Sequence, residues 1–156
     1  MKAHIRTLRE SDVANVMEIE NESFDVPWDQ SDFEFALCFQ DNFGLIAETP
    51  EGEPLAFVVV FQNERWFQVV NIATSAVWRR RGIASHLLAT LIDRLGERKF
   101  IECYVKESNL SGLNFFKSNG FFATNLIQGF YGEQSDDDAI EMAYWKANVY
   151  SRPIHD

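Results

Sequence analysis

The sequence predicts an α+β fold, a mixed and mostly antiparallel sheet of about seven strands flanked by about four helices. Three observations carry that expectation. Between residues 44 and 74, three β-branched and aromatic runs follow one another, separated by turn formers such as Pro50-Glu51-Gly52. From residue 83 the apolar period changes, placing Ile83, Leu87, Leu88, Leu91, Ile92 and Leu95 on one face of a helix. Beyond it Ile101, Cys103 and Val105 alternate with Glu102 and Tyr104, the pattern of a strand with two unlike faces.

The elements follow in order. Lys2 to Leu8 is expected as a short strand. Ser11 or Asp12 should cap a helix whose apolar positions are Val13, Val16, Met17 and Phe24, and Pro27 should break it. Ser31 is expected to cap a second helix reaching about Phe39. Gly44 to Glu48, Leu55 to Phe61 and Trp66 to Thr74 should form a three-strand meander. The helix from residue 83 should end near Gly96. Asn109 to Asn119 reads as a helix closed by Gly120, and two last strands are expected near Phe121 to Tyr131 and Ala139 to Trp145. With no repeat, linker or low-complexity tract, residues 1–156 are expected to form a single domain.

Composition narrows the function classes. The chain has 156 residues, 46% hydrophobic and 24% charged, which suits a globular domain and excludes a collagen-like or disordered chain. No apolar run approaches the roughly 18 residues of a membrane span, and Met1-Lys2-Ala3-His4 lacks a signal-peptide stretch, so a cytoplasmic protein without membrane contact is expected. Residues 1–64 carry 14 acidic and 3 basic side chains, net −11, whereas residues 65–156 carry 10 acidic and 11 basic, net +1. A net charge of −10 repels nucleic acid and leaves only Arg79-Arg80-Arg81 as a local anion site. The acidic half is either a solvated face or an attractor for a cationic substrate. Cys38 and Cys103 lack metal or disulfide spacing and both read as buried small apolar residues. His4, His86 and His155 are isolated, so no metal is expected.

The sharpest signal is Val77-Trp78-Arg79-Arg80-Arg81-Gly82-Ile83-Ala84-Ser85, set where a strand ends and an amphipathic helix begins. Small residues at 82 and 84 let backbone N–H groups approach a ligand. The helix N-terminus behind them offers unpaired donors, and together these make an anion cradle. It is neither a Walker loop nor a dinucleotide fingerprint.

With Arg79, Gly82 and Ala84 matching Q/R-x-x-G-x-G/A, the chain resembles the GNAT superfamily of acetyl-CoA-dependent N-acetyltransferases. Further motifs resemble its ribosomal-protein alanine N-acetyltransferase (RimI) group: Phe24 to Trp28 with Phe33, Asn71-Ile72-Ala73, Val105 to Asn109, Phe115-Phe116, Gly120-Phe121, Phe130-Tyr131, and Asp137 to Ile140. The resemblance runs from about residue 3 to about residue 145 and implies the GNAT fold. It also implies pantetheine along Ile72, Ala73 and Thr74, pyrophosphate over Arg80, Arg81, Gly82, Ile83, Ala84 and Ser85, and pantetheine contacts from Asn109 and Phe116. Pro27 and Trp28 would line the acceptor groove.

Where the resembling group carries a general base this chain has Tyr104, and where it carries a proton-donating tyrosine this chain has Phe116. Tyr131 is the nearest surviving hydroxyl, and it would also meet the acceptor. Glu102 lies on the face of Tyr104, roughly 7 Å along the strand. These three are the catalytic candidates. A site so sparsely equipped favours an α-amine, which titrates near about 7.7–8.0, over a lysine amine near about 10.4. The resemblance implies acetyl transfer by direct attack to the N-terminal amine of a protein. The alternatives are a small cationic amine as acceptor, or a non-catalytic acyl-CoA sensor. The oligomeric state is not legible.

Overall fold

The structure is a computed structural model that describes residues 2–146. It contains seven strands, mostly antiparallel, and four α-helices, the GNAT-like α+β fold. The described residues divide into two compact units, residues 2–63 with 69–94, and residues 64–68 with 95–146.

The first unit begins with β1 (His4–Thr7), a 3-10 turn (Glu10–Asp12), α1 (Val13–Ser23) and α2 (Gln30–Cys38). Next come β2 (Phe43–Glu48), β3 (Pro54–Gln62) and β4 (Trp66–Thr74), whose last six residues belong here, and then α3 (Ile83–Asp93). The strands lie in the order β1-β2-β3-β4, with β1 antiparallel to β2 and β2 antiparallel to β3. Val13, Val16 and Ile19 of α1 and Phe33 and Ala36 of α2 share one core with Ile46, Phe57, Val59 and Ala73. On β3 the intervening Val58 and Val60 face the other way, and α3, with Leu87, Leu88 and Leu91 fully buried, packs on β2 and β3. Covered on both faces, β3 needs no polar alternation, which is why Leu55 to Val60 is an unbroken apolar run.

The second unit holds β5 (Phe100–Lys106), α4 (Leu110–Ser118), β6 (Phe122–Ile127), a 3-10 turn (Gly132–Gln134) and β7 (Ala139–Trp145). Its strand order is β5-β7-β6, all antiparallel. Asn109 caps α4 by accepting from the Gly112 N–H at 3.0 Å, and Gly120 turns the chain out at φ +89°.

Four expectations need correction. Asp12 does not cap α1 with its side chain; its carboxylate accepts from the Arg9 N–H at 2.7 Å and from the Arg6 guanidinium at 2.8 Å, because the helix enters through a 3-10 turn. The cap of α2 is Asp29 rather than Ser31. Asp29 accepts from the Asp32 N–H and Asp32 from the Asp29 N–H, each at 2.9 Å, a reciprocal pair that Ser31 cannot supply. β6 stops at Ile127, so Tyr131 lies in the following turn. Cys38 is exposed, at the end of α2, while Cys103 is buried on β5 with its thiol pushed up by burial. One thiol is therefore expected to react with a disulfide reagent in the native protein, the second only on unfolding; two fast thiols without denaturant would contradict this burial.

No helix among the described residues is long and apolar enough to cross a membrane, and none of their His, Cys, Asp and Glu side chains form a group able to hold a metal ion. His155 lies outside the described residues.

Candidate active site

In the first unit β4 delivers Ile72, Ala73 and Thr74 to the start of the loop, Ala73 buried and its neighbours half-buried. A 3-10 turn (Ala76–Trp78) follows. Arg80 then takes a left-handed conformation at φ +63° and Gly82 another at φ +78°, which curls the backbone into the first turn of α3. The first α-helical bond runs from the His86 N–H to the Gly82 carbonyl, so the N–H groups of Ile83, Ala84 and Ser85 have no carbonyl of the helix to meet. A side chain built at Gly82 would find no protein atom within 4 Å. That open side borders a hollow of about 400 Å³ lined by Trp78, Arg81, Gly82, Ile83 and His86 with Lys2 and Ala3. Arg81 stacks on the Trp78 ring at 4.7 Å, and the Trp78 indole N–H is buried without a partner in the protein. Unpaired donors, cationic walls and an absent side chain suit the phosphates of a nucleotide ligand.

Arg79 serves the chain itself. Its guanidinium donates to the Thr74 carbonyl at 3.1 Å and to Ser23 Oγ at 3.0 Å, tying the loop to the end of α1. The Ala76 N–H adds a bond to Glu22 at 2.8 Å.

Pro27 and Trp28 lie between α1 and α2, and a buried carboxylate that the sequence reading missed holds them. Glu20, 2% exposed, accepts from the Trp28 N–H at 3.0 Å and from Asn71 Nδ2 on β4 at 2.8 Å. Burial raises its pKa, and the two hydrogen bonds oppose the rise. The Trp28 ring meets Phe33 edge-on at 5.2 Å. The available signal was Asn71, a polar residue on the otherwise apolar buried side of β4.

The second unit carries the catalytic candidates, Glu102 and Tyr104 on β5 and Tyr131 in the turn after β6. Glu102 and Tyr104 share one face of β5 as expected, and Tyr104 stands directly across from Glu141. The Tyr104 ring stacks on Phe130 at 4.9 Å. Burial, then the charges of Glu102 and Glu141, push Tyr104 up to about 12, so it keeps its proton at neutral pH. Burial, then Glu141, raises Glu102 as well. Tyr131 packs against Phe130 at 5.0 Å under the Lys106 ammonium, and burial raises its hydroxyl. Phe116 is 5% exposed and packs on Phe121, while the side chain of Asn109 is occupied as the cap of α4.

Comparison with known proteins gives this geometry its class. The crystal structure of the ribosomal-protein-S18-alanine N-acetyltransferase from Escherichia coli superposes with a TM-score of 0.82 at 24% identity, covering 96% of this chain and 100% of that one. That of Arabidopsis thaliana NAA60 in complex with acetyl-CoA gives 0.79 at 17% identity, covering 92% and 98%. A Bacillus subtilis protein named "Putative ribosomal protein bS18-alanine N-acetyltransferase" is 22% identical over 141 residues, 89% of this chain and 93% of its own length. Residues 13–121 match a family described as acetyltransferase (GNAT), and the chain is an acetyl-CoA-dependent N-acetyltransferase that transfers the acetyl group to an amine. It belongs to the GNAT acetyltransferase family.

Proposed function

We propose that this cytoplasmic enzyme, acting as one domain, acetylates the N-terminal α-amine of a protein. Acetyl-CoA supplies the acetyl group. The loop amides from Arg80 to Ser85 would hold the pyrophosphate, Ile72 to Thr74 the pantetheine arm, and Arg79 would keep the loop in shape. The amine nitrogen attacks the thioester carbon, the C–N bond forms, and the sulfur departs as a thiolate that takes up a proton. Tyr131, whose hydroxyl is kept protonated, is the donor available for that step. A thiolate with a pKa of about 8.5 leaves readily enough for a weak acid to suffice.

The observation that carries the acceptor class is the clamped segment between α1 and α2. Glu20 fixes the Trp28 backbone, so Pro27 and Trp28 present a fixed wall to an extended peptide end. Around it Asp25, Asp29, Asp32 and Glu34 are exposed. The capping pair consumes Asp29 and Asp32, whereas Asp25 can be neutralised without touching those bonds.

A peptide with a small first residue and Arg or Lys a few residues behind it is therefore the expected acceptor. Raising the salt from about 0.01 M to about 1 M shortens the Debye length from about 30 Å to about 3 Å. This should raise KM for that peptide and leave a neutral peptide nearly unchanged. Asp25→Asn should reproduce a small part of the effect, since an exposed pair is worth about 0.2–1 kcal/mol. Equal responses from both peptides, or faster turnover of polyamines than of any peptide, would overturn this choice of acceptor. Tight acetyl-CoA binding with no CoA release on any amine would instead indicate a sensor.

A further inference from the structure

We infer that Glu141 on β7 is the general base of this enzyme, taking over across the strand pair a role that the neighbouring strand cannot fill. The inference rests on the acetyltransferase reading and adds a residue that no motif of the sequence pointed to.

On β5, Tyr104 occupies the place where the resembling group carries its base. A phenol that holds its proton at neutral pH cannot accept one from an amine. The antiparallel register sets Glu141 directly opposite Tyr104, which puts the two side chains on the same face of the sheet with their Cβ atoms about 4.5–5.5 Å apart. The carboxylate is thus displaced by one strand, not lost. Thr124 orients it: its Oγ1, carried by the irregular step between Ala123 and Asn125 on β6, donates to Glu141 Oε1 at 2.7 Å. The carboxylate so held retains further lone pairs for a proton arriving from the substrate. The Tyr104 ring across from it is fixed in turn by stacking on Phe130.

Glu102 is the rival carboxylate on this face. It pairs with Ala143, one pleat away from the Tyr104 and Glu141 pair, and burial favours its neutral form. In the step itself, the nitrogen lone pair forms the C–N bond, the C–S bond breaks, and the nitrogen's surplus proton passes to Glu141. From there it goes to solvent, while the thiolate takes its proton separately. Tyr104 acts through Glu141 and is a positioning residue.

The test uses the full chain, acetyl-CoA and an N-terminal peptide acceptor. Glu141→Gln keeps an oxygen for Thr124 and should lower kcat about 100-fold or more, with the acetyl-CoA dissociation constant and the melting temperature unchanged. Tyr104→Phe should lower kcat less, and the double variant should be no slower than Glu141→Gln alone, because both act through one group. Formate should restore part of the rate of Glu141→Ala and none of Glu102→Ala. Glu141→Gln turning over within threefold of the unaltered enzyme would overturn the assignment, as would additive losses in the double variant or formate rescue confined to Glu102→Ala. An unaltered protein that acetylates no amine would overturn the acceptor reading on which it stands, a result separable from any variant.

Discussion

Replacing Gly82 with valine is expected to abolish measurable acetyl-CoA binding while leaving the protein folded. Gly82 sits at φ +78°, a conformation that costs an L-residue about 1–2 kcal/mol and a β-branched one more. No protein atom lies within 4 Å of where the new Cβ would stand. The side chain would therefore not clash with the chain but would project into the hollow where the phosphates are proposed to lie. That strain lowers the stability of the folded loop with or without ligand, so the loss of affinity comes from the blocked approach and should be tenfold or more, about 1.4 kcal/mol at the least. Gly82→Ala, with a smaller side chain and the same backbone penalty, should be intermediate. Calorimetric titration with acetyl-CoA, beside a thermal melt, checks both; unchanged affinity in folded Gly82→Val would place the phosphates elsewhere.

The largest loss of stability should come from Glu20→Ala. The truncation leaves the Trp28 N–H and the Asn71 amide without their acceptor in a region where Glu20 is 2% exposed. Each buried donor so stranded costs about 1–3 kcal/mol. For a chain of this size each kcal/mol lowers the melting temperature by about 2–4 °C. The acceptor KM should rise as well, because Trp28 loses the bond that fixes its backbone. Glu20→Gln should behave differently. Its amide can serve both neighbours if the Asn71 amide turns over, and it carries no buried charge. Burial raises the Glu20 pKa, so the folded state binds a proton more readily than the unfolded chain. Stability from this group is thus greatest at low pH and is lost as pH rises through the elevated folded value. The advantage of Glu20→Gln over the unaltered protein should accordingly grow over that interval, from the ordinary carboxylate range upward. Denaturant unfolding at several pH values measures it, and a difference independent of pH would show that Glu20 titrates alike in both states.

Local chemistry made most elements legible. The alternation of Ile101, Cys103 and Val105 is the alternation of buried and half-buried positions on β5, and Trp66 to Thr74 and Ala139 to Trp145 carry the bounds of β4 and β7. Asn109 and Gly120 close α4 as their side chain and its absence dictate. Caps were harder to read where several candidates crowd together. Asp29, Ser31 and Asp32 compete within four residues, and only the reciprocal bond between the two aspartates chooses among them.

The sequence by itself determined the α+β class, the order of strands and helices and membership of an acetyltransferase family. Each of these is written in near neighbours: a period, a turn residue, a short motif. Tertiary structure alone decided which distant side chains meet. Glu20 reaches Asn71 across 51 positions, and Glu141 comes to face Tyr104 only because one particular antiparallel register was formed. Cys38 was misread for the same reason, since whether the last turn of a helix is covered depends on elements far away in the chain. A register shifted by a single residue would carry Glu141 to the opposite face of its sheet. The proposed base is therefore a property of strand pairing, which no local pattern records.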